Sequence, residues 1–108
     1  MLKEIKKYDY RIYPQYTTVQ QPYFASLYLW DDTTMIGKLS FFNPDYFKNI
    51  QPPFIDPYGS VVMYFRTGEF PMVIDLLRNE KPVYLFGKET APTWFILTTN
   101  PEPVGEGE

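Results

Sequence analysis

The side chains able to carry acid–base chemistry gather late in the chain, at Glu69, Asp75, Glu80 and Glu89. Two carboxylates whose pKa values are driven apart serve as acid and base. Nothing in the spacing makes any two of these converge, and the wet side of a helix is the simpler home for them. Arg66 and Arg78 bracket the same stretch. A guanidinium pair grips a carboxylate or phosphate bidentately, whereas local ion pairs with Glu69 and Asp75 require nothing else of the fold. Asp31-Asp32 offers oxygen ligands to a hard cation, but no further ligand follows at useful spacing, so the pair reads as a solvated hairpin tip. Gly87-Lys88-Glu89-Thr90 is superficially like the end of a phosphate-binding loop. Pro82 stands where the first glycine is required and Glu89 where the magnesium-binding hydroxyl is required, so it reads as a hairpin loop.

Histidine and cysteine are both absent. That removes the commonest general base and metal ligand, and with them disulfides, thiol nucleophiles and thiolate metal sites. No metal and no cofactor is expected. The net charge of -3 disfavours broad binding to a phosphate backbone. Residues 1–54 hold six basic and five acidic side chains; residues 55–108 hold four and eight. No apolar run approaches the length of a membrane span. The segment Met1-Leu2-Lys3-Glu4-Ile5-Lys6-Lys7 lacks the apolar core of a signal peptide, so a cytoplasmic location is expected.

Aromatic residues, 19 % of the chain, are the most informative feature. Tyr8, Tyr10, Tyr28 and Trp30 alternate along early strands, and they are the expected binding residues. Exposed aromatic patches mark interaction sites, and Tyr and Trp suit interface centres. The competing reading is that the proline-rich connection 43–59 folds over the aromatic side and completes a second small core.

These residues must be held by a scaffold, and its clearest piece is one helix. Phe70, Val73, Ile74 and Leu77 recur at the spacing of a single buried stripe. Pro71 suits the first helical position, Glu69 sits near the positive end of the helix dipole, and Asp75 and Arg78 are placed to pair on the wet side. Lys81-Pro82 ends the helix, because proline pushes the residue before it out of the helical region. So short a helix is stable only when packed.

Strands surround it. Residues 5–13 alternate, with Tyr8, Tyr10 and Ile12 opposite Lys7, Asp9 and Arg11. In Phe24 to Trp30, Ala25, Leu27 and Leu29 oppose Phe24, Ser26, Tyr28 and Trp30. After Asp31-Asp32-Thr33, Met35, Leu39 and Phe41 alternate with Ile36, Lys38 and Ser40, completing a hairpin. Gly37 marks a bulge or a close backbone approach. Asn43 to Gly59 is a long connection carrying four prolines, with one helical turn expected after Pro44. Asp56-Pro57-Tyr58-Gly59 matches a type I turn. Ser60 to Arg66 is apolar on both faces near its start and so reads as a central strand. Val83 to Phe86 and Thr93 to Thr99 are the last strands, separated by a loop from Gly87 to Pro92.

The expected fold is therefore α+β, mostly β. It is a twisted antiparallel sheet of five or six strands, in the order β-β-β-β-α-β-β, open or curled toward a barrel, with one short helix on one face. Residues 1–108 read as a single domain with an acidic tail at 100–108. The function expected first is a non-enzymatic protein-interaction module, meeting a protein partner or a second copy through the aromatic side. The alternatives are single-stranded nucleic-acid binding on an aromatic sheet face, aided by Lys3, Lys6, Lys7 and Arg11, and a small enzyme using carboxylates and tyrosines. Nucleic acid is the less favoured partner because the chain is acidic.

Overall fold

A computed structural model of the chain describes residues 1–13, 23–43, 45 and 51–101. The strands are β1 (Leu2–Ile5), β2 (Lys7–Ile12), β3 (Tyr23–Trp30), β4 (Met35–Phe42), β5 (Phe54–Ile55), β6 (Val61–Arg66), β7 (Val83–Lys88) and β8 (Trp94–Thr99). A 3-10 turn, Thr67–Glu69, leads into the helix α1 (Phe70–Asn79). The fold is α+β and mostly strand, with one short helix packed against a multi-stranded sheet, as expected.

Its strands fall into two sheets, where the sequence suggested one. The larger has the order β2-β3-β4-β6-β5 and the smaller β1-β7-β8. The N-terminal segment belongs to both. β1 pairs with β7 and β2 with β3, both antiparallel, and the chain changes sheet at Lys6. The Lys6 amide still donates to the Trp30 carbonyl at 2.8 Å, which anchors the corner. Strands that switch sheets at a bend are how two sheets share a core at a steep angle.

A second departure is that β4 and β6 pair in parallel, Gly37 beside Val61 and Phe41 beside Phe65. The long connection between them is the crossover that a parallel pair needs. Inside it β5 turns back as a short edge strand on β6. Asp56 Oδ1 accepts from the amides of Tyr58 and Ser60, both at 2.9 Å. The Gly59 amide closes the turn onto the Asp56 carbonyl at 3.0 Å, with Gly59 at φ +87°. That positive φ is why glycine stands fourth.

The hairpin of β3 and β4 forms in the expected register, Leu27 opposite Leu39 and Ser26 opposite Ser40, but carries two irregularities. Between Tyr23 and Ala25 the register shifts, and Phe24 packs beside the Phe70 ring, with centroids 5.4 Å apart. The strict alternation had placed Phe24 with Ser26, Tyr28 and Trp30. Between Leu29 and Trp30 a second shift sets Ile36 into the core, 2 % exposed, while Met35 lies opposite Trp30. A bulge adds one residue to one strand and so reverses the facing of whatever precedes it. Gly37 meets the first of its two expectations, the bulge; the atoms that crowd it belong to side chains and not to another backbone. It lies beside this bulge, and a Cβ there would stand 3.2 Å from Leu29 Cδ1 and 3.4 Å from Leu85 Cδ2.

The core lies between the two sheets and under α1. Ala25, Leu27, Leu29, Leu39, Phe41 and Val61 come from the large sheet, Leu85 and Phe95 from the small one, and Val73 from the helix. Phe70, Ile74 and Leu77 pack against it, which fulfils the stripe read from the sequence. Phe70 is the aromatic hub. The rings of Phe41, Phe24 and Tyr10 meet it edge-on at 4.9, 5.4 and 6.0 Å. Ahead of the helix, Glu69 Oε1 accepts from the Arg66 amide at 2.8 Å. On the wet side Asp75 takes a hydrogen bond from Asn79, not the expected Arg78. Gly87, expected in a loop, is a buried residue of β7 opposite Phe95, and it exchanges backbone hydrogen bonds with Met1. A Cβ there would collide with the Trp94 carbonyl oxygen and the Phe95 ring.

Several expectations fall outside the described residues. They are the connection 15–22, the helical turn after Pro44, the part of the 43–59 segment expected to cover the sheet, and the acidic tail beyond residue 101.

Candidate functional site

The large sheet separates the four expected binding residues into two pairs. Tyr8 lies opposite Leu29 and Tyr10 opposite Leu27, so both belong to the face that carries the core. Tyr8 packs against that core, while Tyr10 is 51 % exposed with its edge on Phe70. Tyr28 and Trp30 lie on the reverse face, opposite Asp9 and Lys7. Neither ring is free there. The Arg11 guanidinium sits 4.7 Å from the centre of the Tyr28 ring, with the Lys38 ammonium at 5.9 Å. Trp30 Nε1 donates to Asp9 Oδ2 at 2.9 Å. A cation over a ring occupies the surface a nucleobase would stack on. The same reverse face holds Tyr64, between Phe42 at 5.1 Å and Phe54 at 6.1 Å. Burial holds its phenol above the ordinary tyrosine range.

A contiguous exposed apolar row lies on the other sheet. Register puts Leu2, Phe86 and Ile96 in one row across β1, β7 and β8, with Trp94 diagonally beside Phe86. These four are 61, 39, 46 and 42 % exposed. The Phe86 and Trp94 rings meet edge-on at 5.4 Å. The face ends in opposite charges. Lys88, paired with Trp94, stands at one end of it, and Glu4, paired with Tyr84, at the other. The inward set Val83, Leu85 and Phe95 is buried. The small sheet is thus apolar on both sides, although only one side meets the core.

None of these four residues was singled out by sequence. The signal was present: Val83 to Phe86 and Trp94 to Leu97 are apolar at odd and even positions alike. A strand of that kind reads equally as one buried on both faces.

The remaining candidates have structural partners or scatter. Asp31 Oδ1 accepts from the amides of Thr34 at 2.8 Å and Thr33 at 3.0 Å, making the hairpin tip its own ligand. Those bonds, the Thr34 one first, hold its carboxyl below the usual carboxylate value. Glu69, Asp75 and Glu89 do not converge. Glu80 lines a cavity of about 530 Å³ together with Glu4 and Tyr8, between the β1–β2 corner and the end of α1. Glu4 there lies 4.0 Å from Lys6. Among the described residues no three His, Cys, Asp or Glu side chains gather as metal ligands, and no helix is long and apolar enough to cross a membrane. Compared with protein-family models, with curated proteins and with solved structures, the chain finds no match in any of the three.

Proposed function

We propose that the chain is a protein-interaction module that associates with a second copy of itself through the outer face of the small sheet. The observation that carries this reading is the exposed row Leu2, Phe86 and Ile96, with Trp94 beside it, bounded by Lys88 at one end and Glu4 at the other. A monomer gains nothing by leaving such a row in water, at roughly 25 cal/mol per Å² of apolar surface. A two-fold axis perpendicular to the strands inverts the face on itself. It stacks apolar row on apolar row and brings each Lys88 over the partner copy's acidic end. The face is self-complementary in the way a two-fold contact demands.

Its size sets the strength. Three strands about 4.8 Å apart and six residues at about 3.3 Å each make a face of roughly 300 Å². Stable complexes bury about 800 Å² per partner. The contact is therefore weak, with monomer and dimer exchanging in the micromolar to millimolar range.

Sedimentation over a concentration series tests it. The wild-type chain is expected to show a concentration-dependent rise toward the dimer mass. Ile96→Lys is expected to stay monomeric with an unchanged far-ultraviolet spectrum. Lys88→Glu and Glu4→Lys should each weaken the dimer, and the two together should restore it, because the swap returns opposite charges to facing ends. A wild-type chain that remains monomeric at about 1 mM, or a double variant no better than the singles, overturns this mode.

A further inference from the structure

We infer that the outer edge of β8 pairs with itself. The same strand of a second copy, running antiparallel, adds to it and joins two small sheets into one of six strands. Among the described residues the two sheets have four edges, at β1 and β8 and at β2 and β5. Folded chains keep such edges from pairing by shortness, charge, proline or a bulge. β1 has four residues and carries Lys3 and Glu4. β5 has two residues, and β2 carries Lys7, Asp9 and Arg11 in alternation. β8 has none of these defences. It runs six residues without a charge, a proline or a register shift against β7. Its Trp, Phe, Ile and Thr residues are those that strands favour.

The free side of β8 is set by its neighbours. The Gly87 amide donates to the Met1 carbonyl at 3.0 Å, and the Met1 amine donates back to the Gly87 carbonyl at 2.8 Å. Both backbone groups of Gly87 therefore turn away from its β8 partner, Phe95. Bonded and unbonded pairs alternate in an antiparallel ladder. The N–H and C=O groups of Phe95, Leu97 and Thr99 consequently point away from β7. No other element bonds to that side among the described residues.

Area and symmetry name the occupant. The outer face of one small sheet, roughly 300 Å², falls well short of the about 800 Å² per partner of stable complexes, and six strands give roughly 600 Å². An uncharged strand sets no like charges opposite each other when it meets its own copy. With Ile96 opposite the partner copy's Ile96, Phe95 and Leu97 exchange backbone hydrogen bonds across the junction. The outer row Leu2, Phe86 and Ile96 then runs unbroken into the partner copy's row. The two-fold axis of this edge crosses the row on which the face-to-face axis lies, so the two contacts together close at four copies. That closure rests on the face contact proposed above; the edge pairing does not.

Amide hydrogen exchange over a concentration series tests the edge. Exchange at Phe95 and Leu97 is expected to slow as the wild-type chain is concentrated to about 1 mM, whereas face stacking bonds neither amide. The chain has no cysteine, so Ile96→Cys carries a lone thiol. Directly opposite residues of an unbonded antiparallel pair lie about 4.5 Å apart, within reach of a disulfide, while stacked sheets hold them about 10 Å apart, beyond it. With oxidised glutathione, Ile96→Cys should form a covalent dimer at least about tenfold faster than Tyr58→Cys, because pairing raises the effective thiol concentration. Tyr58, 91 % exposed, reports chance collision. The cross-linked dimer should sediment toward four copies on concentration; one that stays at two supports the edge and overturns the face contact alone. Cross-linking of Ile96→Cys no faster than Tyr58→Cys overturns the edge pairing. Exchange at Phe95 and Leu97 indifferent to concentration also overturns it, and leaves the edge to a strand of another protein.

Discussion

Two residues show how local chemistry is settled one side chain at a time. Ser26 is fully buried and its hydroxyl has no hydrogen-bond partner among the described residues. An unsatisfied buried hydroxyl costs about 1–3 kcal/mol. Ser26→Ala is therefore expected to leave stability unchanged or raise it by up to about 1 kcal/mol, measured by urea unfolding; a loss above about 1 kcal/mol would mean the hydroxyl is bonded. Asp31 is the opposite case, an exposed carboxylate fully used by its own turn. Its pKa is lowered, first by the Thr34 amide and then by Thr33. The ionised form is thus favoured by folding. The stability it lends is complete above the unfolded-state pKa and fades as pH falls through the lower folded value. A carboxyl carbon titration should place the Asp31 midpoint below 3.8, and a midpoint at or above that value contradicts the turn geometry. This carboxylate turn was legible beforehand, because Asp followed by polar residues between two alternating runs is turn chemistry. The lone hydroxyl of Ser26 was not, because burial depends on what the rest of the chain lays over it.

At the scale of elements, periodicity read well wherever it was unbroken. The stripe Phe70, Val73, Ile74 and Leu77 and the hairpin of β3 with β4 formed as the spacing implied. It failed at the two bulges, which reversed Phe24, Met35 and Ile36, because an inserted residue leaves no mark in composition. The parallel pairing of β4 with β6 was hidden for a related reason. Its crossover is rich in proline and gave no helical period to announce it. The helix itself is fastened mainly at its first residue, where Phe70 meets three rings. Phe70→Ala is expected to cost about 3 kcal/mol, near the low end for phenylalanine in a core because the ring is only half-buried. Met72, 65 % exposed on the same helix, is the control, and its alanine variant should fall within about 0.5 kcal/mol of wild type. Equal effects at both positions would show that the helix is not anchored through this ring.

The whole molecule raises the question of whether two sheets unfold as one. Three strands with a hydrophobic face are about the least that stands alone in water, and the small sheet turns its buried Val83, Leu85 and Phe95 inward to the shared core. Leu85 reaches the large sheet at Gly37, and β1 continues into β2 with only Lys6 between them. Separating the sheets would open the shared core and bend the N-terminal segment away from one of its partners. The mark of this division in the sequence is small: Lys6-Lys7 interrupts the alternation and sets Ile5 out of phase with Tyr8, Tyr10 and Ile12, and a single slip of that kind reads equally as a bulge. The chain supplies its own reporters, because its two tryptophans lie one in each sheet, Trp30 in β3 and Trp94 in β8. Trp30→Phe and Trp94→Phe each leave a single emitter. Each variant shifts stability somewhat, so the comparison is made within each protein between tryptophan fluorescence and far-ultraviolet circular dichroism. The chain is kept dilute enough that association adds nothing. Coincident transitions by both probes in both variants are expected of one cooperative unit. If the Trp94 signal is lost at lower urea than the circular dichroism signal in Trp30→Phe, the small sheet opens first, and the core contact between Leu85 and Gly37 does not couple the halves.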